Sequence, residues 1–260
     1  MDLNLKSVHA ADLRSRAIDI DDEDEENAEE FNVEIRKKFE VTLNVDARQK
    51  CDVLLISAGS VFSNYLECCV YNLPTCKLVG NVVEVGESST KINKICHLSD
   101  TSNAKIYAIN AEKVNDEDSY HWTEKVIEAV CDASSKIFVL LNDNLRSYKC
   151  WQSAGDSSEL FVKYLSSSFI KNDDTVRSFS CLEQPNIISG LSAQILTYAE
   201  LNGLHCVVFV MFHSIDFPSS FLTKFFKKSN IINVCQVDSE KLKQFEMKLH
   251  SQSAASGLYM

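Results

Sequence analysis

Three observations predict an α/β fold: a layered sandwich with a largely parallel or mixed central sheet flanked by helices. Continuous apolar runs such as CDVLLIS (51–57), KIFVLL (136–141) and HCVVFVMF (205–212) have the length and composition of strands buried on both faces. Amphipathic stretches of helical period fall between several of them, the alternation that builds such sandwiches. Punctuation is sparse, with three prolines and seven glycines, which argues against several linkers. Residues 31–250 are therefore read as a single α/β domain. Residues 1–30 are read as a disordered acidic arm and residues 251–260 as a flexible C-terminal tail.

The elements follow in order. Val33, Ile35, Phe39, Val41, Leu43 and Val45 fall on alternate positions, the pattern of a half-buried strand, with a bend near Lys37. CDVLLIS is the first fully buried strand. Gly59 follows, and SVFSNYLECCV (60–70) reads as a helix opening at Ser60. Further strands are expected at KLVGNVVEV (77–85), AKIYAIN (104–110), KIFVLL, VRSFSCL (176–182), HCVVFVMF and INVCQV (232–237). DSYHWTEKVIEAV is a helix with an Asp118/Ser119 cap and one face made of Trp122, Val126, Ile127 and Val130. GDSSELFVKYLSSSF reads as a second, opening near Asp156 and presenting Leu160, Phe161, Tyr164 and Leu165. SGLSAQILTYAELNG runs from about Ser189 to Gly203, which stands where a left-handed C-terminal cap belongs. DSEKLKQFEMKLH (238–250) places Leu242, Phe245 and Leu249 on one side.

The formal charge is −11, but nine acids and no bases lie within 19–30, so the remainder carries only −2. An acidic block of this kind stays solvated. The nearly neutral body offers no basic excess to track phosphates, which argues against nucleic acid. No apolar run approaches a membrane span. The ten cysteines include no CxxC pair, and MDLNLKSVHAADL lacks an apolar core of signal-peptide length. Reduced thiols in a cytosolic or nuclear protein are expected, with Cys51, Cys131, Cys181, Cys206 and Cys235 in apolar surroundings.

ISAGSVFSN is where an enzymatic site would lie, because α/β folds bind ligands where a strand feeds a helix. One glycine stands where dinucleotide binding needs three, and no GxxxxGK loop is present. Ser60 is not in a GxSxG elbow. His205 opens an apolar strand and His213 ends it, and His97 and His121 lack an acidic partner at diagnostic spacing. Neither HExxH nor an acidic metal cluster occurs. No catalytic, cofactor or metal residue is assigned. An α/β enzyme whose site is assembled only in space remains the alternative.

The most distinctive stretch is CLEQPNIISGLSAQILTYAELNG (181–203). Pro185 biases Gln184 toward extended backbone, and Asn186 can bond its own backbone to shape a turn before the helix. With CDVLLISAGSVFSNYL, YHWTEKVIEAV and the terminal GLYM, LEQPNI resembles the proteasome assembly chaperone 1 family, collinearly from about residue 40 to residue 260. The acidic arm is similar only in composition.

That resemblance implies a non-enzymatic chaperone. It implies pairing with proteasome assembly chaperone 2 and binding of proteasome α-subunits as a ring. It also implies a C-terminal hydrophobic–tyrosine–any-residue motif, here Leu258, Tyr259 and Met260, whose tail enters a pocket between neighbouring α-subunits. The residues suit that role. A terminal carboxylate makes a charge-assisted bond to an ammonium, and Tyr259 pairs a flat apolar ring with a hydroxyl. Burial of Leu258 is worth roughly 1.5–3 kcal/mol. The ten residues after His250, if extended, reach about 33–36 Å. The same ending also has the apolar–any–apolar form that strand-adding, PDZ-type domains accept, so an adaptor ligand is the rival reading.

Overall fold

The computed structural model describes residues 38–44, 50–85, 92–99, 104–149, 160–170, 173–214, 218–232 and 239–257. All lie within one unit, Lys37–Met260. The acidic arm, residues 33–37 and 45 of the strand expected over 33–45, most of INVCQV and the residues Leu258, Tyr259 and Met260 lie outside the described residues.

The central sheet grows outward from the most apolar runs. β2 (Val53–Ser57) pairs in parallel with both β5 (Lys105–Asn110) and β6 (Lys136–Asn144), and β6 pairs in parallel with β9 (His205–His213). Side chains alternate across these strands. Leu54, Ile56, Ile137, Val139, Val208 and Val210 enter one core, while Leu55, Phe138, Leu140, Val207, Phe209 and Met211 enter the other. Both faces are covered, so the sequence carries unbroken apolar runs.

On one side the sheet continues antiparallel through β4 (Ile92–Ser99), β3 (Cys76–Val85) and β1 (Lys38–Leu43). On the other, β7 (Leu160–Ser166) pairs antiparallel with β9 and in parallel with the two-residue β8 (Ser180–Cys181). Among the described residues the order is β1-β3-β4-β5-β2-β6-β9-β7-β8, a mixed sheet. One face is covered by α2 (Ser119–Val130) and α3 (Gly190–Leu201). The other is covered by α1 (Ser60–Tyr65) with the π-helical turn Leu66–Val70, by α4 (Ser220–Ser229) and by α5 (Ser239–Gly257). The expected α/β sandwich is therefore present.

Several local expectations are corrected. Residues 160–166 of GDSSELFVKYLSSSF form strand β7, not a helix; Asp156 lies outside the described residues. Leu160, Val162 and Tyr164 face one core and Phe161 and Leu165 the other, so the apolar positions that fit a helical stripe fit a two-faced strand equally well. Tertiary context decides, because β7 covers the open edge of β9, which is buried from Cys206 to Phe212. VRSFSCL supplies only β8, and Cys181 is exposed rather than in apolar surroundings. Asp118 makes no capping bond. A 3₁₀ turn, Asp116–Asp118, leads into α2, and Ser119 Oγ donates to the Asp116 carbonyl at 2.6 Å. β4, whose alternation is interrupted by polar Asn93 and Lys94, and α4 are additional to the elements expected from the sequence. Gly203, at φ +70°, ends α3 in the left-handed conformation expected of it. α5 continues to Gly257, seven residues past the boundary expected at residue 250.

Candidate protein-interaction site

The turn between β2 and α1 is the place where this architecture would hold a small ligand. Here it is closed by the protein itself. Asn142 of β6 reaches over the turn, and its Oδ1 accepts from the Val61 amide at 2.9 Å. The Ala58 and Gly59 amides donate to the Leu140 carbonyl at 2.9 and 3.2 Å, and Ser57 and Ser63 share a hydrogen bond of 2.7 Å. The first free amide of α1 is thus taken by a carboxamide, and the turn works as a structural junction.

The LEQPNI stretch is a brace. Its Gln184–Pro185 peptide is cis. Asn186 donates through Nδ2 to the Glu183 and Lys149 carbonyls, both at 2.9 Å, and its Oδ1 accepts from the Lys149 amide at 2.7 Å. Glu183 accepts from Tyr148 at 2.6 Å and pairs with Lys163 at 3.0 Å. Partial burial pushes the Glu183 carboxyl up, but the Tyr148 hydroxyl and the Lys163 ammonium outweigh it and hold it below the usual range. The expected role of Asn186 in shaping this turn is met, and it also ties the turn to the loop after β6. Ile187, beside it, is 86% exposed, and Leu201 at the far end of α3 is 81% exposed.

α5 immediately precedes the last three residues in the chain. Phe245 is fully buried and meets Tyr65 edge-on at 5.6 Å between ring centroids; Tyr65 in turn stacks on Phe226 of α4 at 5.4 Å. Burial pushes the Tyr65 hydroxyl up to about 12. Leu242 and Leu249 pack beside Phe245, as the sequence spacing predicts. Polar ties flank this anchor: Lys248 to Glu67 at 2.6 Å, Lys241 Nζ to the Asn72 carbonyl at 3.0 Å, and Ser219 Oγ to Glu246 at 2.5 Å. Met247 faces outward, 65% exposed.

Several of the thiols are turned inward. Cys131 is pushed up by its contact with the Cys51 thiol and by burial, while burial raises Cys69 to about 12 and raises Cys206. A thiol held protonated is a poor nucleophile. His97 is lowered by burial and by Lys105 and Lys77. Among the described residues, no group of three His, Cys, Asp or Glu side chains is placed to hold a metal ion, and no helix is long and apolar enough to cross a membrane.

With this geometry in place, the chain's likeness to known proteins is specific. The family model PAC1, described as "Proteasome assembly chaperone 4", matches residues 9–252. Proteasome assembly chaperone 1 of Homo sapiens is 23% identical over 193 residues, 68% of this chain and 65% of that protein. The chain therefore spans slightly under two thirds of the length of such relatives. Two archaeal structures share the fold. Pyrococcus furiosus PbaA, an archaeal homolog of proteasome-assembly chaperone, has a TM-score of 0.54 at 14% identity, covering 85% of this chain and 94% of its own. Pyrococcus furiosus PbaB, an archaeal proteasome activator, has a TM-score of 0.53 at 10% identity, covering 84% and 97%. A family match over nearly the whole sheet and its helices is decisive: this chain belongs to the PAC1 family of proteasome assembly chaperones.

Proposed function

We propose that the protein acts without catalysis, in the cytoplasm and nucleus, as a chaperone of proteasome core assembly. It pairs with proteasome assembly chaperone 2, and the pair binds proteasome α-subunits while they form a ring. Leu258, Tyr259 and Met260 enter a pocket between neighbouring α-subunits, with the Met260 carboxylate on a pocket lysine. The observation that carries this reading is the architecture of α5, buried at Phe245 and continuous to Gly257. Twelve helical residues past that anchor span about 18 Å, which supports presentation of the following motif at a distance from Phe245. The absence of any assigned catalytic residue in the sequence, and the closure of the β2–α1 turn by Asn142, support a binding role.

The test is a titration of purified α-rings with the heterodimer, using a partner chaperone trimmed of its own tail so that avidity does not mask a loss. Truncation of an aromatic anchor costs on the order of 2 kcal/mol, so Tyr259→Ala should weaken binding about thirtyfold. Removing the last three residues should do at least as much, and pairing with the partner chaperone should persist. Equal affinity for all forms would reject the tail's role. Sedimentation of the mixed chaperones as separate monomers would reject the heterodimer. Ser60→Ala should leave ring assembly intact, and a large loss in a folded protein would return the β2–α1 turn to consideration as an active site.

A further inference from the structure

A second binding place lies away from the tail, where β8 parts from β7. β8 pairs with β7 only at Lys163 and Tyr164. Alongside Phe161 and Val162 the two strands diverge, and the wedge between them and α4 holds about 310 Å³. Phe179, Phe221 and Phe225 make its apolar walls. Its only charged lining residues are Lys224 and Lys228, one helical turn apart on α4 and both exposed. Lys227 is exposed beside them, and α4 contains no acid.

Lysines in a last helical turn ordinarily serve the helix dipole, which accounts for Lys227 and Lys228 but not for Lys224 in mid-helix. Lys228 Nζ also lies 4.9 Å from the centre of the Phe179 ring, so its charge is held at the mouth of the groove. Among the described residues none of these three lysines is in an ion pair, in a chain whose formal charge is −11. An apolar slot rimmed by cations alone selects an occupant of complementary chemistry. We infer that this groove binds an acidic segment of a partner protein, one large apolar side chain lying against Phe179 and Phe221 and flanking carboxylates meeting Lys224 and Lys228. The site is independent of the C-terminal motif, so its failure and that motif's failure are separable.

The probe is a fluorescein-labelled dodecapeptide of Asp and Glu around one central Phe, titrated into the full-length protein and followed by anisotropy. Saturable binding that weakens with added salt is expected. Exposed ion pairs contribute up to about 1 kcal/mol each, so Lys224→Glu with Lys228→Glu should weaken binding about tenfold or more. Both sites are on the surface, and circular dichroism would verify that the variant folds. A peptide with Ser in place of Phe should bind much less. Equal binding of the Phe and Ser peptides, or no effect of the double substitution, would overturn the proposal. So would self-association of the protein through this face, abolished by the same substitutions, since the occupant would then be a second copy.

Discussion

Asn142 and Gly59 are fitted to each other across two strands. The Asn142 carboxamide fills the space that a Cβ on Gly59 would need, with the Asn142 amide nitrogen only 2.5 Å from that position, while its Oδ1 holds the Val61 amide at 2.9 Å. Backbone cannot move aside as a flexible side-chain end can. Gly59→Ala should therefore destabilise the fold by about 1–3 kcal/mol. Asn142→Ala should cost about 1 kcal/mol through the lost cap. Urea unfolding of both variants checks the order, and a neutral Gly59→Ala would refute the close fit.

Phe245 anchors α5, whereas Leu258, Tyr259 and Met260 lie beyond it. Phe245→Ala removes a fully buried ring that packs against Tyr65, at a cost of about 3–5 kcal/mol. Deleting the last three residues should leave the thermal midpoint within a degree or so. Parallel melts of the two variants separate the anchor from the motif it carries.

Asp173 makes stability depend on acid. Burial raises its carboxyl, but Lys136 at 2.9 Å and the Thr175 amide and hydroxyl at 2.9 and 2.8 Å outweigh that and hold it below the ordinary 3.8. A depressed folded value means that its contribution is complete above the unfolded pKa and is lost as pH falls through the folded one. The gap in melting temperature between the wild type and Asp173→Asn should be widest above about pH 4, the unfolded value, and narrow as pH falls below it. A gap that does not change with pH would assign the residue a packing role only.

Thr123 of α2 is fully buried, and its hydroxyl finds no hydrogen-bond partner among the described residues. An unmatched buried hydroxyl costs about 1–3 kcal/mol. Thr123→Val keeps the branched shape and removes the hydroxyl, so it should raise stability by up to about 1 kcal/mol. Chemical denaturation reads this directly, and a loss would point to a partner reached by small rearrangement.

The strands buried on both faces were legible because their apolar runs leave no other reading, as in β2, β6 and β9. α2 was legible down to Trp122, Val126, Ile127 and Val130, all buried. β7 was not, because five apolar residues in six positions satisfy helical and strand periods alike, and only the neighbouring β9 decides between them. β8 shrank to two residues because the chain after Asp173 is taken up by turns before it reaches the sheet. The brace at LEQPNI was half legible: Asn186 announced a turn, but its bonds to Lys149 join positions 37 apart. The groove beside α4 left no local signature, since Phe161, Phe179 and Phe225 come from separate elements.

α5 also decides where mechanical load would enter the protein. A helix end frays easily, so tension applied at Gly257 draws out the last turns before it reaches the packed part of α5. The Lys248–Glu67 bridge takes it first, in shear, and the Phe245–Tyr65 contact takes it next. Both partners sit on α1 and the π-helical turn that follows it, whose Tyr71 amide bonds back to the Leu66 carbonyl at 2.8 Å. A pull that reaches these contacts is thus delivered to the helix that follows the Gly59–Asn142 junction.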